Sequence, residues 1–141
     1  MRPRFCVLAA TLAALLVTPA AAQTDTQEGG LGIELNKLED VEGTVCRAYF
    51  ILRNDTDAVV DDLQLDSYIF DPDGIISQRL TLPFGRAPTA RIRIVTLDLA
   101  LPCGSIGSLF VNELVACETA GTLACESALT TTSRAEQPFT Y

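Results

Sequence analysis

From residue 31 onward the chain never sustains a 3.6-residue apolar period, and its patterned stretches alternate with a period of two. That period puts successive side chains on opposite faces of an extended backbone, so each stretch reads as a half-buried strand. The strongest covers residues 44–54. Cys46, Ala48, Phe50 and Leu52 fall on one side, and Arg47, Tyr49, Ile51 and Arg53 on the other. The arginines mark the outer side and place Cys46 inside. An earlier strand alternates Leu31, Ile33 and Leu35 with Gly32, Glu34 and Asn36, and an acidic turn at 39–43 follows it.

Further strands read at 63–70, 75–82, 91–99 and 106–114, and 128–132 reads as either a last short strand or irregular tail. Turn signals separate them. In Asp71-Pro72-Asp73-Gly74 the proline pre-sets φ and the glycine accepts positive φ, the pattern of a tight hairpin. Two strands lose phase. Leu63 and Leu65 disagree in parity with Tyr68 and Phe70, and Ile94 is followed directly by Val95. A bulge near Asp66-Ser67 and another at Ile94/Val95 are expected to restore one apolar face in each. Residues 112–120 have room for one helical turn at most. Six or seven short strands between turns predict an all-β, single antiparallel β-sandwich, immunoglobulin-like in outline, with a small β-barrel as the alternative. The chain has no tryptophan, the usual core residue of true immunoglobulin domains.

Residues 1–22 have the layout of a cleavable export signal. Arg2 and Arg4 precede an apolar run over 5–17, Thr18-Pro19 ends it, and Ala20-Ala21-Ala22 offers an A-x-A cleavage site. The run is shorter than the roughly 20 residues a membrane span needs, so no stable membrane insertion is expected after cleavage. Arg2-Pro3-Arg4 is not a consecutive arginine pair, which favours the general secretory route over the twin-arginine route. The expected location is periplasmic or secreted. Residues 23–30 (QTDTQEGG) read as a disordered leader, 31–132 as the domain, and 133–141 as a polar tail in which Phe139 and Tyr141 are the residues able to dock.

Removing Arg2 and Arg4 leaves eight basic residues against 18 acidic ones, a net charge of −10 over Gln23 to Tyr141. That balance makes nucleic acid and anionic membranes poor partners. Cys6 leaves with the signal. Cys46, Cys103, Cys117 and Cys125 remain, and in an oxidising compartment four cysteines read as two disulfides with three possible connectivities. The pairing Cys46–Cys103 with Cys117–Cys125 is preferred, because it ties an early strand to a late one and closes a short loop of small residues. Chain-entropy arguments give about 4 kcal/mol for the long loop and about 2.5 kcal/mol for the short one. No C-x-x-C pair and no histidine occur, which argues against a zinc site.

The absence of histidine removes the imidazole-dependent hydrolase schemes. Lys37 is the only lysine and has no S-x-x-K around it. Paired carboxylates for glycoside hydrolysis exist at Asp71 with Asp73, Asp61 with Asp62, and Asp55 with Asp57. All lie in predicted turns, where aspartate serves the local backbone. Asp71 and Asp73 also match the start of a calcium loop, without its third acidic position or closing glutamate. The outward Arg47, Tyr49, Ile51 and Arg53 form a mixed apolar and basic strip suited to docking, since tyrosine and arginine are enriched at interface hot spots.

Several of these features occur together: Leu35-Asn36-Lys37-Leu38, Cys46 opening an aromatic strand that ends in Asn54, a D-x-D-G hairpin, and Cys103 shortly before Ile106. In this the chain resembles uncharacterised small secreted proteins of alphaproteobacteria, of the type labelled "Tat pathway signal sequence domain protein", over most of residues 31–117. It departs from that label in lacking the arginine pair. It is more loosely similar to small immunoglobulin-like modules of bacterial envelopes. The resemblance implies a fold and a compartment, and no activity. The expectation is a non-enzymatic exported β-sandwich, without cofactor, that acts on an unknown envelope protein. The alternatives are a calcium or small-ligand module built on the acidic turns, and a carboxylate-based hydrolase.

Overall fold

The computed structural model describes residues 29–119, 123 and 125–141. The export signal and residues 23–28 of the leader lie outside the described residues. The strands are β1 (Leu31–Val41), β2 (Val45–Asn54), β3 (Val60–Phe70), β4 (Ile76–Pro83), β5 (Arg91–Leu99), β6 (Ser108–Thr119), β7 (Leu129–Ser133) and β8 (Phe139–Thr140). A 3₁₀ turn at Cys103–Ser105 precedes β6, and one helical turn, α1 (Cys125–Ala128), precedes β7. The strands make two four-stranded sheets, in the orders β5-β2-β1-β7 and β4-β3-β6-β8. The protein is therefore a two-sheet all-β sandwich, and the barrel alternative is set aside.

The core forms where the inner faces meet. Leu31, Ile33, Leu35, Ala48, Phe50 and Leu52 face Val60, Leu63, Leu65, Ile69, Leu82 and Leu109, and all are essentially inaccessible. Phe50 sits at the centre, edge-on to Phe84 at 5.2 Å and to Phe139 at 5.5 Å. Asn54 is buried at the end of β2 with all of its amide in use. Its Nδ2 donates to the carbonyls of Ala58 and Ala87, and its Oδ1 accepts from the amide and hydroxyl of Thr56.

Several expectations are corrected here. The sandwich is not purely antiparallel: β7 joins β1, and β8 joins β6, in parallel. The segment expected as a polar tail supplies the end of β7 and all of β8, and Phe139 docks in the core. The acidic stretch 39–43 is mostly strand. β1 continues to Val41, and the chain reverses over Glu42, Gly43 and Thr44, the first two at positive φ and the Thr44 amide donating to the Val41 carbonyl at 3.3 Å. The stretch expected to hold one helical turn is strand as far as Thr119.

The two expected phase slips are also resolved differently. On β3 the inward set is Leu63, Leu65, Ser67 and Ile69, an unbroken parity. Tyr68 is half-buried on the opposite side, so no phase change is needed. The register does shift near Asp66-Ser67, but the extra residues, Asn112 and Val115, are on β6. This continuity carries the Ser67 hydroxyl into the core between Leu80 and Val111, its cross-strand neighbours, where it finds no hydrogen-bond partner. β5 pairs with β2 from Arg91↔Asn54 to Cys46↔Leu99 without interruption, so no bulge separates Ile94 from Val95. Instead Ile92 and Ile94 stand on the outer face.

Cys46 pairs with Cys103 at a Cα separation of 4.7 Å, and Cys117 with Cys125 at 6.4 Å, the connectivity preferred from sequence. Two disulfides fit an oxidising compartment rather than the cytoplasm. Among the described residues, no helix is long and apolar enough to cross a membrane.

Candidate functional site: the outer face of the β5-β2-β1 sheet

The inward commitment of Cys46, Ala48, Phe50 and Leu52 forces Arg47, Tyr49, Ile51 and Arg53 outward. The antiparallel register then fixes their neighbours. Arg47 lies between Asp98 and Glu39, Tyr49 between Thr96 and Lys37, Ile51 between Ile94 and Glu34, and Arg53 between Ile92 and Gly32. The four residues expected as one strip therefore belong to two surfaces.

At the disulfide end the polar groups satisfy one another. Arg47 donates to both oxygens of Asp98, Nε at 2.7 Å and Nη2 at 2.9 Å. This bidentate bond holds the Asp98 carboxyl below the usual carboxylate range and raises the Arg47 guanidinium. Tyr49 donates to Glu39 Oε2 at 2.6 Å, and Lys37 donates to Glu39 Oε1 at 3.0 Å while its ammonium lies 5.5 Å from the Tyr49 ring centre. The Tyr49 hydrogen bond, with Lys37 behind it, depresses Glu39, and the same bond raises the phenol.

At the other end, Ile51 is half-buried between strands, and beside it Ile92 and Ile94 are 58% and 71% exposed. Arg53 flanks them, exposed, and Arg91 and Arg93 follow along the free edge of β5. Among the described residues, Arg53 and Arg91 make no salt bridge, while Arg93 donates to the carbonyl of Arg86, and Arg86 pairs with Asp61 at 3.3 Å. Arg91 and Arg93 have the parity of the inner face, and inward-pointing charge on an edge strand discourages unspecific strand addition. Two shallow depressions flank Ile51. One, of about 270 Å³, is floored by Gly32 between Arg53 and Thr130. The other, of about 330 Å³, lies between Tyr49 and Ile94. Ile92 and Ile94 were missed in the sequence because a bulge was assumed to turn them inward. The signal that finds them is the pairing of the R-I-R-I run with Ile51 and Arg53 in plain antiparallel register.

The acidic turns are engaged locally. Asp71 Oδ1 accepts the amides of Asp73 and Ile75, at 3.0 and 2.8 Å, and the Asp71 carbonyl accepts from Gly74. Asp61 pairs with Arg86, and Asp62 accepts from Gln64 at 2.6 Å. Among the described residues, no three carboxylates or cysteines gather in a way that would hold a metal ion. A carboxylate the sequence did not single out, Asp66, is buried on the outer side of the other sheet. It accepts from Arg79 at 2.8 and 3.1 Å and from Asn112 at 3.0 Å, and the Arg79 bonds hold it below its ordinary value.

No family model matches the chain, and no curated protein matches it. A solved structure, from the structural characterization of IrmA from Escherichia coli, is similar in fold, with a TM-score of 0.57 and 12% sequence identity. The match covers 74% of this chain and 92% of that one. The likeness is one of fold.

Proposed function

We propose that the chain is an exported, non-enzymatic β-sandwich, periplasmic or secreted, that acts by protein contacts through the outer face of its β5-β2-β1 sheet. The observation that carries this is the cluster of exposed Ile92 and Ile94 with half-buried Ile51, beside arginines on a chain that is otherwise acidic. A contiguous apolar patch rimmed by polar groups marks interaction surfaces, and arginine is a preferred anchor at their centres. The absence of histidine and the local engagement of the carboxylates support a binding role over a catalytic one. The orders β1-β2-β5 and β3-β6-β8 also parallel the A-B-E and C-F-G orders of immunoglobulin-like sandwiches, and we extend the proposal to that fold group. The parallel β8 is a departure from it. A photo-crosslinking side chain at Ile94, with Gln64 on the other sheet as the control position, tests the function. Adducts specific to position 94 are expected. No adducts, or the same adducts from both positions, would overturn the reading.

A further inference from the structure

The chain carries a second exposed apolar cluster, and its charge is opposite. The β3–β4 hairpin presents Ile75 and Ile76, 64% and 56% exposed, beside Asp71 and Asp73. Among the described residues no cation pairs with either aspartate. Asp71 holds the turn through its accepted amides, so the tip is pre-shaped and loses little freedom on docking. The receiving surface has the complementary composition: Ile51, Ile92 and Ile94, with Arg53 at its rim making no salt bridge among the described residues, while Glu34 beside Ile51 is paired with Arg134 at 3.1 Å.

The two clusters lie at opposite ends of the sandwich. Arg91 pairs with Asn54 at one end of β5. Leu99, at the other end, pairs with Cys46, whose disulfide leads through Cys103 to Gly107. Gly107 donates to the Phe70 carbonyl at 2.7 Å and lies against the backbone of Asp71 and Pro72. The hairpin is thus at the Leu99 end, and eight steps of strand separate it from the Arg91 end by about 27 Å. No single copy can bring its own hairpin to its own patch.

We propose that the occupant of the β5-β2-β1 patch is the acidic hairpin tip, residues 71–76, of a second copy of this chain. Ile75 and Ile76 of one copy pack on Ile51, Ile92 and Ile94 of the next, and Asp73 approaches Arg53. The contact joins unlike surfaces, so it repeats head to tail and produces rings or open chains rather than a two-fold dimer. Asp55 and Asp57 follow β2 at the receiving end and offset part of the basic charge, which makes this a weak, reversible association. The inference rests on the proposed use of this face for protein contacts and assigns its partner.

Sedimentation velocity of the purified, oxidised protein over micromolar to millimolar concentration tests it. The weight-average sedimentation coefficient is expected to rise with concentration, and to rise less in high salt because the charge pairing is screened. The variants Ile75→Asp/Ile76→Asp and Ile92→Asp/Ile94→Asp alter exposed positions, and each is expected to weaken self-association by about tenfold or more. Their mixture decides the matter. One variant keeps the patch and the other keeps the hairpin, so the mixture is expected to form a 1:1 complex that neither forms alone. A monomer at every concentration overturns the proposal, as does assembly that survives both substitutions, or a mixture that stays monomeric. If the protein is monomeric but the Ile94 crosslinks persist to a different protein, the partner assignment fails while the binding face stands.

Discussion

The two ends of the β5-β2-β1 face are built from the same residue types and behave as different surfaces. Near the disulfide, Arg47 has Asp98 across the strand pair, and Tyr49 and Lys37 share Glu39, so charge and hydrogen-bonding capacity are consumed within the chain. Near Arg91 the cross-strand neighbours of Arg53 and Ile51 on β5 are Ile92 and Ile94, and among the described residues Arg53 makes no salt bridge, Glu34 beside it being held by Arg134. A strip that looks uniform along one strand is made closed or open by the strand beside it. What decides is the register with β5.

The largest expected effect breaks the closed end. Replacing Cys46 and Cys103 together by alanine should lower unfolding stability by about 4 kcal/mol, from a bridge that spans 57 residues. Denaturant unfolding measures it, and an unchanged midpoint would show that the end is held by packing alone. Gly107→Ala comes next, at about 1–3 kcal/mol, because a Cβ there meets the Asp71 backbone, which has little room to move. Midway between the ends, Ser67→Ala should stabilise by about 1 kcal/mol, by removing a buried hydroxyl without a partner.

Arg47→Ala sharpens the comparison by titration. Asp98 has a depressed carboxyl, so the stability it contributes is present above the unfolded value near 3.9 and is lost as pH falls through the lower folded value. Without Arg47 the Asp98 midpoint, followed by NMR, should move up toward about 3.9, and Arg53→Ala should leave it in place. The smallest effect is at the open end. Ile92→Ser and Ile94→Ser should change stability by less than about 0.5 kcal/mol in thermal unfolding, as exposed positions do. A larger loss would mean that these side chains serve the fold rather than contacts.

Alternation alone located β1 to β6, and the spacing of the cysteines indicated the bridges. The errors came where one dimension of pattern has two structural solutions. Leu63, Leu65, Tyr68 and Phe70 were made consistent by moving a residue out of β3, whereas the structure keeps β3 regular from Leu63 to Phe70, admits Ser67 to the core, and puts the extra residues of that stretch in β6. At Ile94-Val95 every isoleucine was assumed to seek the interior, and two do not. Phe139 sits among polar residues, and nothing local reveals that it fills space beside Phe50, 89 positions earlier. Asp66 was hidden because its partners, Arg79 and Asn112, come from the two strands flanking it.

The parallel edge strands carry a kinetic consequence. β1 pairs with residues 129–133, nearly a hundred positions downstream, and Phe139, which packs on Phe50, comes later still in the chain. Contacts of such sequence separation form slowly, and until they form both β1 and β6 present unpaired backbone along one edge. A chain interrupted before β7 would therefore hold most of its core residues and lack the strands that cover its open edges. That unfinished species, rather than the completed sandwich, is where uncontrolled strand-to-strand aggregation would begin.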